Sequence, residues 1–413
     1  MKRTETVIIG AGQAGLAMSR CLVERGVPHV VLERGRIAER WRSERWDSAR
    51  LLTPNWQSRL PYCHYRGSDP DGYMKMSEVV DYFESYAGSF AAPVETGTTV
   101  LSVEQPRRDV FVVTTDRGVW QTSNVVIATG HCDVPYIPPL ARGLSDGIHQ
   151  TVPTRYRNPD SLPAGGVLVV GASASGTQLA SELVAAGRQV TLAVGRHTRL
   201  PRQYRGKDIP WWLEMSGKFR EPIEPTDDGA ARRFRPSTQL AGRTDRGNLD
   251  LGVLQARGVR LTGRAIAACG SIVRFADDLA ESVARADDQL QKVLGQIDEF
   301  IETTGMSHRV GPRESIERIH PLRAPSEIDL SRERVTTVLW ATGFRRNYAW
   351  LRIPVLDGDG EIRHRGGITP VAGLYLLGLQ SMRRRNSSFI DGVGIDAEEL
   401  ASHLAARVRS RAA

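Results

Sequence analysis

Thr6-Val7-Ile8-Ile9-Gly10-Ala11-Gly12-Gln13-Ala14-Gly15 is a short apolar strand that runs directly into a glycine turn. Leu16 to Arg25 then reads as a helix ending at Gly26, and His29 to Leu32 as a second strand. This pattern predicts a βαβ unit that binds a dinucleotide. Gly10 makes the tight turn, Gly12 lets backbone approach a pyrophosphate, and Gly15 lets helix and strand pack closely. The N-terminus of the helix, with its unpaired amides, holds the phosphates. Glu33 closes the second strand, 23 positions after Gly10, where a carboxylate accepts hydrogen bonds from ribose hydroxyls; Arg34 follows it.

The design recurs at Gly171-Ala-Ser173-Ala-Ser-Gly176. Val167 to Val170 is the strand, Thr177 to Ala186 the helix, and Gln189 to Val194 the next strand. Ser173 takes the middle glycine's place with a side chain small enough for a phosphate turn. Where the first unit has Glu33, this one has Gly195, Arg196, His197 and Arg199, with no carboxylate to repel a 2′-phosphate. Arg196 and Arg199 therefore favour NADP over NAD.

A chain of 413 residues is long enough for two domains. Asn124 to Thr129, ending at Gly130, is a buried strand followed by Pro135, Pro138 and Pro139; Thr336 to Thr342 repeats it and ends at Gly343-Phe344. Such punctuation marks chain crossings between domains. The expected fold is α/β: two Rossmann-like domains, the second (146–329) inserted into the first (1–145 and 330–413). Gly373 to Gly378 reads as a last strand and Asp396 to Arg409 as a closing helix.

The composition is globular, 40% hydrophobic and 25% charged. The net charge of +8 suits phosphorylated ligands, but no dense basic block interleaved with aromatics suggests a nucleic-acid groove. Cys21, Cys63, Cys132 and Cys269 have neither metal-ligand spacing nor a C-x-x-C pattern, so no metal is expected. The first strand begins almost at Met1, and no apolar run approaches the roughly 18 residues that span a bilayer. A soluble cytoplasmic protein without membrane insertion is expected.

Leu279, Val283, Ala286, Leu290, Val293, Ile297 and Phe300 alternate four and three residues apart, so about 276–303 reads as one helix with a narrow apolar seam. A lid, a homodimer contact and packing on its own domain all fit that seam. Trp211-Trp212, after Arg202, Tyr204, Arg205 and Lys207, reads either as a pocket lining or as domain packing.

The two glycine turns, Val-Val-Ile-Ala-Thr129-Gly130, Leu-Trp-Ala-Thr342-Gly343-Phe344, and Trp41 soon after Glu33 together resemble the class B flavoprotein monooxygenases. That family of two-dinucleotide-domain flavoproteins includes flavin-containing, YUCCA-like and Baeyer–Villiger enzymes. The resemblance implies FAD at the first turn and NADPH at the second, with Thr129, Gly130, Thr342 and Gly343 at the cofactors. It puts Trp41 near the flavin ring, Asn55 in hydrogen bonding to the flavin and its oxygen adduct, and Asp391-Gly392 in the segment closing over the flavin. The family's F-x-G-x-x-x-H signature is degenerate here: His149 fits, but Gly143 and Ser145 occupy the Phe and Gly positions. His149 is carried over as a conformational or cofactor-contact residue. The activity implied is NADPH reduction of FAD, a C4a-hydroperoxyflavin formed with O2, and oxygenation of a small organic substrate. Two alternatives stand beside it: an NADPH-dependent reductase serving a protein or quinone acceptor, and a non-catalytic nucleotide-binding interaction protein.

Overall fold

The computed structural model describes residues 1–223 and 236–412. Its first sheet is nucleated by β1 (Lys2–Ile9), from which the chain passes through α1 (Gln13–Val23) to β2 (His29–Leu32). A short α2 (Glu39–Ser43) and a long loop lead to α3 (Met76–Ser89) and β3 (Val94–Glu95). An antiparallel meander follows: β4 (Val100–Arg107), β5 (Val110–Thr115) and β6 (Gly118–Ile127). The order is β3-β2-β1-β6-β5-β4, with β1 parallel to both β2 and β6.

The second sheet is wholly parallel. It comprises β7 (His149–Thr151), β8 (Gly166–Val170), β9 (Val190–Ala193), β10 (Arg260–Thr262) and β11 (Val335–Trp340), in the order β7-β11-β8-β9-β10. Between β8 and β9 lies α4 (Ala174–Ala185). Every residue of β8 is buried, as a strand covered on both faces requires. The pleat sends Val167 and Val169 to one core, with Leu179 and Leu183 of α4, and Leu168 and Val170 to another, with Phe275 and Trp340.

Strand β11 belongs to this second sheet, whereas a boundary at 330 assigns it to the first domain. Its register against β8, Val167↔Thr337 to Val170↔Trp340, places the return crossing after residue 340. The chain then supplies β12 (Leu374–Leu376), which pairs with the Val125–Ile127 end of β6, and α7 (Ile390–Ala412). Helix α7 starts before the expected Asp396, so Asp391 and Gly392 lie in its first turn. Val393, Ala397, Leu400 and Leu404 form its buried stripe.

The periodic helix, α6, spans Leu279–Thr303 and is preceded by α5 (Ile209–Met215) in the same unit. Its seam is covered within the chain: Leu290, Leu294 and Ile297 pack with Leu200, Tyr204 and Trp212. Trp212 is wholly buried, and its Nε1 donates to Tyr204 O at 2.7 Å, so it is packing and does not line a pocket. No helix among the described residues is long and apolar enough to cross a membrane.

Gly15 and Gly12 make opposite demands. A Cβ on Gly15 would lie 1.8 Å from Gly10 O, while one on Gly12 would meet nothing within 4 Å. Gly15→Ala is expected to cost about 3 kcal/mol in denaturant unfolding and Gly12→Ala under about 1 kcal/mol. Equal losses would disprove this division of roles.

Candidate functional site

The two turns are built alike. Gly10 (φ +105°) and Gly171 (φ +106°) sit where only glycine is at ease. A Cβ would lie 2.8 Å from Ala128 O in the first unit and 2.4 Å from Ala341 O in the second. The strands that end in Ala-Thr-Gly therefore press directly on the turns, which brings Thr129-Gly130 and Thr342-Gly343 to the same edge of each sheet. Gly176 repeats the contact of Gly15, its Cβ position being 1.8 Å from Gly171 O. Ser173 begins α4 at φ −80°, ψ −173°, matching Gly12 before α1 at φ −86°, ψ −169°, so the serine is accommodated without strain.

Nothing inside the protein requires glycine at position 12. Its φ is open to any residue and its surroundings are free, so its missing side chain suits the approach of a ligand phosphate to the α1 amides. Glu33 is buried at the turn and accepts from Ala11 N and Gly35 N, both at 2.8 Å. Those bonds fix the carboxylate and leave lone pairs for ribose hydroxyls. Arg34 is exposed, with Glu44 at 3.9 Å.

Trp41 joins this cradle through Gln13. Its Nε1 donates to Gln13 Oε1 at 3.1 Å, and Gln13 Nε2 donates to Ser388 O at 3.3 Å, just before α7. Nearby, Arg59 binds Asp391 of α7 and Glu214 of α5, tying the first unit to the second. Burial pushes the Asp391 carboxyl up from its ordinary value, against the pull of the Arg59 charge. Among the described residues, Gln57 Oε1, Ser58 Oγ and Asn386 Oδ1 are buried without a hydrogen-bond partner along the same segments. Buried orphans of this kind fit a polar ligand. Arg59, Glu214 and Asn386 carry no motif, and only the packing of distant segments brings them forward.

Several expected site residues serve structure instead. Asn55 is buried in a short turn, where its Nδ2 donates to Asp69 O at 2.9 Å and its Oδ1 accepts from Met74 N at 2.7 Å. Both ends of the amide hold the 69–74 loop, so Asn55 is a loop clamp. His149 is exposed on β7 and pairs with Thr337, which in turn pairs with Val167, four residues before Gly171. At roughly 3.3 Å per residue that sets His149 about 13 Å short of the turn along the strand. Gly392 is explained by its neighbour, since a Cβ would lie 2.0 Å from Asn386 O.

Arg199 is also reassigned. It is 4% exposed and bound to Asp287 Oδ1 at 2.7 Å, Asp250 Oδ2 at 3.5 Å and Glu317 O at 3.1 Å, so its charge is spent inside the second unit. Arg196, just past β9, is exposed.

The units lock at Arg202. This buried guanidinium pairs with Asp208, donates to Leu52 O of the first unit at 2.7 Å, and lies 4.5 Å from the Tyr73 ring centroid. Beyond Gly130, Cys132 sits near His131, Arg45 and Arg40. Burial opposes its ionisation, but these charges prevail and hold the thiol below its ordinary value, whereas burial pushes Cys21 up.

Three comparisons bear on this geometry. A family model described as pyridine nucleotide-disulphide oxidoreductase matches residues 7–214. The CzcO-like oxidoreductase of Geobacillus kaustophilus is 34% identical over 96% of this chain and 97% of its own. The probable indole-3-pyruvate monooxygenase YUCCA1 of Arabidopsis thaliana is 33% identical over 48% of this chain and 49% of its own. Among solved structures, a flavin-containing monooxygenase from Stenotrophomonas maltophilia shares the fold at a TM-score of 0.66 and 20% identity, over 99% of this chain and 100% of that one.

Arg199→Ala should cost about 3–5 kcal/mol of stability, because it strands a buried carboxylate; a fully stable variant would contradict the assignment. Iodoacetamide should alkylate Cys132 before Cys21, with a rate midpoint below the roughly 8.5 of a free thiol. A Cys132 midpoint at or above that value would show that burial prevails.

Proposed function

We propose, for a chain that belongs to the pyridine nucleotide-disulphide oxidoreductase family, an FAD-dependent monooxygenase that consumes NADPH and oxygenates a small organic substrate. The observation that carries this reading is the pair of matched turns with opposite electrostatics. Glu33 stands at the ribose position of the first, and Arg196 lies two residues past the matching position, Val194, of the second, which favours FAD at the first and NADPH at the second. When bound, FAD supplies the electron and oxygen transfer, and the protein's part is position, polarity and exclusion of water.

The residues divide that work. The α1 and α4 N-termini take pyrophosphates, and Glu33 takes ribose. The Trp41–Gln13–Ser388 chain closes one side of the first cradle. The Arg59–Asp391 and Arg59–Glu214 pairs set α7 and α5 against the loop that carries Gln57 and Ser58, whose buried oxygens would hydrogen-bond a polar ligand bound there. Arg202 keeps the second unit in register with the first.

Disulphide reduction, the chemistry in the family's name, calls for a second thiol near the first. Cys21, Cys63, Cys132 and Cys269 are all free and none forms a C-x-x-C, so an oxygenating reading is preferred. NADPH-linked reduction of a protein or quinone acceptor is the second reading.

The purified protein should be yellow, and with its substrate should consume NADPH and O2 one for one with oxygenated product. Stoichiometric peroxide without product across a substrate screen, with quinone turnover in the absence of O2, would favour the reductase. Arg196→Ala should raise the KM for NADPH about tenfold, the worth of one charge-assisted hydrogen bond, and leave that for NADH unchanged. Equal effects on both would remove Arg196 from the 2′-phosphate.

A further inference from the structure

A cavity of about 310 Å³ opens where the units meet, lined by residues other than those of the two glycine turns. Arg42 and Arg45 face it from the segment after Trp41, Lys75 and Ser77 from the start of α3, and Arg157 from the connector leading to β8. Four cations thus line the cavity with a single carboxylate, Asp47, whose Oδ2 already accepts from Asn158 Nδ2 at 2.7 Å. Glu84 pairs with Arg42 at 2.5 Å but is not part of the wall.

The three arginines are held by the protein itself. Arg157 donates to Arg45 O at 2.6 Å and to Ser43 O, so it closes the C-terminal carbonyls of α2. Arg45 donates to Glu44 O at 3.0 Å and lies 5.4 Å from the Trp41 ring centroid. Arg42 Nε is buried and has no hydrogen-bond partner among the described residues. Ser77 adds a hydroxyl in the first turn of α3, a 14-residue helix whose N-terminal dipole carries the same sign as the cations. A recess with this charge excess, lined by fork-shaped guanidiniums, is complementary to a tetrahedral dianion.

We propose that this cavity binds a phosphorylated small molecule, at a site separate from both dinucleotides. Its volume falls at the small end of the usual range for ligand pockets, enough for a phosphate with a compact organic body. Trp46, also in its wall, is rooted in the apolar core of the second unit beside Tyr156 and Leu179. A bound anion therefore bridges the units, drawing the Arg157 connector and the α3 terminus together across repelling charges.

The test uses the purified full chain with FAD and saturating NADP+, so that the two turns are occupied. Thermal unfolding is followed against inorganic phosphate and a hexose 6-phosphate, with chloride matched for ionic strength. Phosphate should raise the midpoint where chloride does not, and Arg42→Gln/Lys75→Gln should weaken its apparent affinity at least tenfold. Tighter binding of the ester identifies an organic phosphate as the occupant; equal or weaker binding identifies the free ion. Lys75→Gln alone, made at an exposed position, should weaken affinity about threefold and serves if the double variant fails to fold. A wild-type shift reproduced by chloride, no shift at all, or a phosphate shift unchanged in the variants that fold would overturn the site.

Discussion

The architecture hangs on a contact between backbones. In each unit the first residue of the glycine turn is pressed by the carbonyl of a neighbouring strand, Ala128 O on Gly10 and Ala341 O on Gly171, while its own carbonyl presses on Gly15 or Gly176. Three pieces of main chain meet there with no side chain between them. This fixes where the helix begins, and hence where its unpaired amides point. The parallel strands on either side, the burial of β8 on both faces and the position of Glu33 all follow from a helix that must start there.

The fold was largely legible in the sequence because that contact leaves a mark: glycines at fixed spacing, flanked by apolar strands. The repeat of the Ala-Thr-Gly strand was also visible, but its sheet membership was not. β11 ends as β6 does, in apolar residues followed by Ala-Thr-Gly, and only its pairing with β7 and β8 shows that it closes the inserted unit and does not reopen the first. The seam of the long helix was equally plain, yet periodicity says that an apolar face is covered and not by what. Here Leu200, Tyr204 and Trp212 cover it.

The site was legible only where chemistry is local. Gly10, Gly12, Gly15 and Glu33 lie within one βαβ unit, so spacing alone places them. Arg199 failed because an arginine near a turn carries no sign of the aspartate waiting for it 88 positions away. The clamping role of Asn55 was not legible because its partners, Asp69 and Met74, belong to a loop whose shape no periodicity describes. Arg59, Glu214 and Asn386 were missed for the converse reason, since each matters through what a distant segment brings to it.

The crossings between the units carry one further consequence. Val134–Pro135 on the way out pairs antiparallel with Phe344–Arg345 on the way back, and Asn347 N donates to Asp133 Oδ2 at 3.1 Å. Entry and exit of some two hundred residues are thus stitched together at one spot. For the host sheet, the whole insertion has the topology of a single surface loop with its ends already joined, so it adds little closure entropy however long it grows. A lineage can enlarge, trim or exchange that cassette while the host sheet keeps its register.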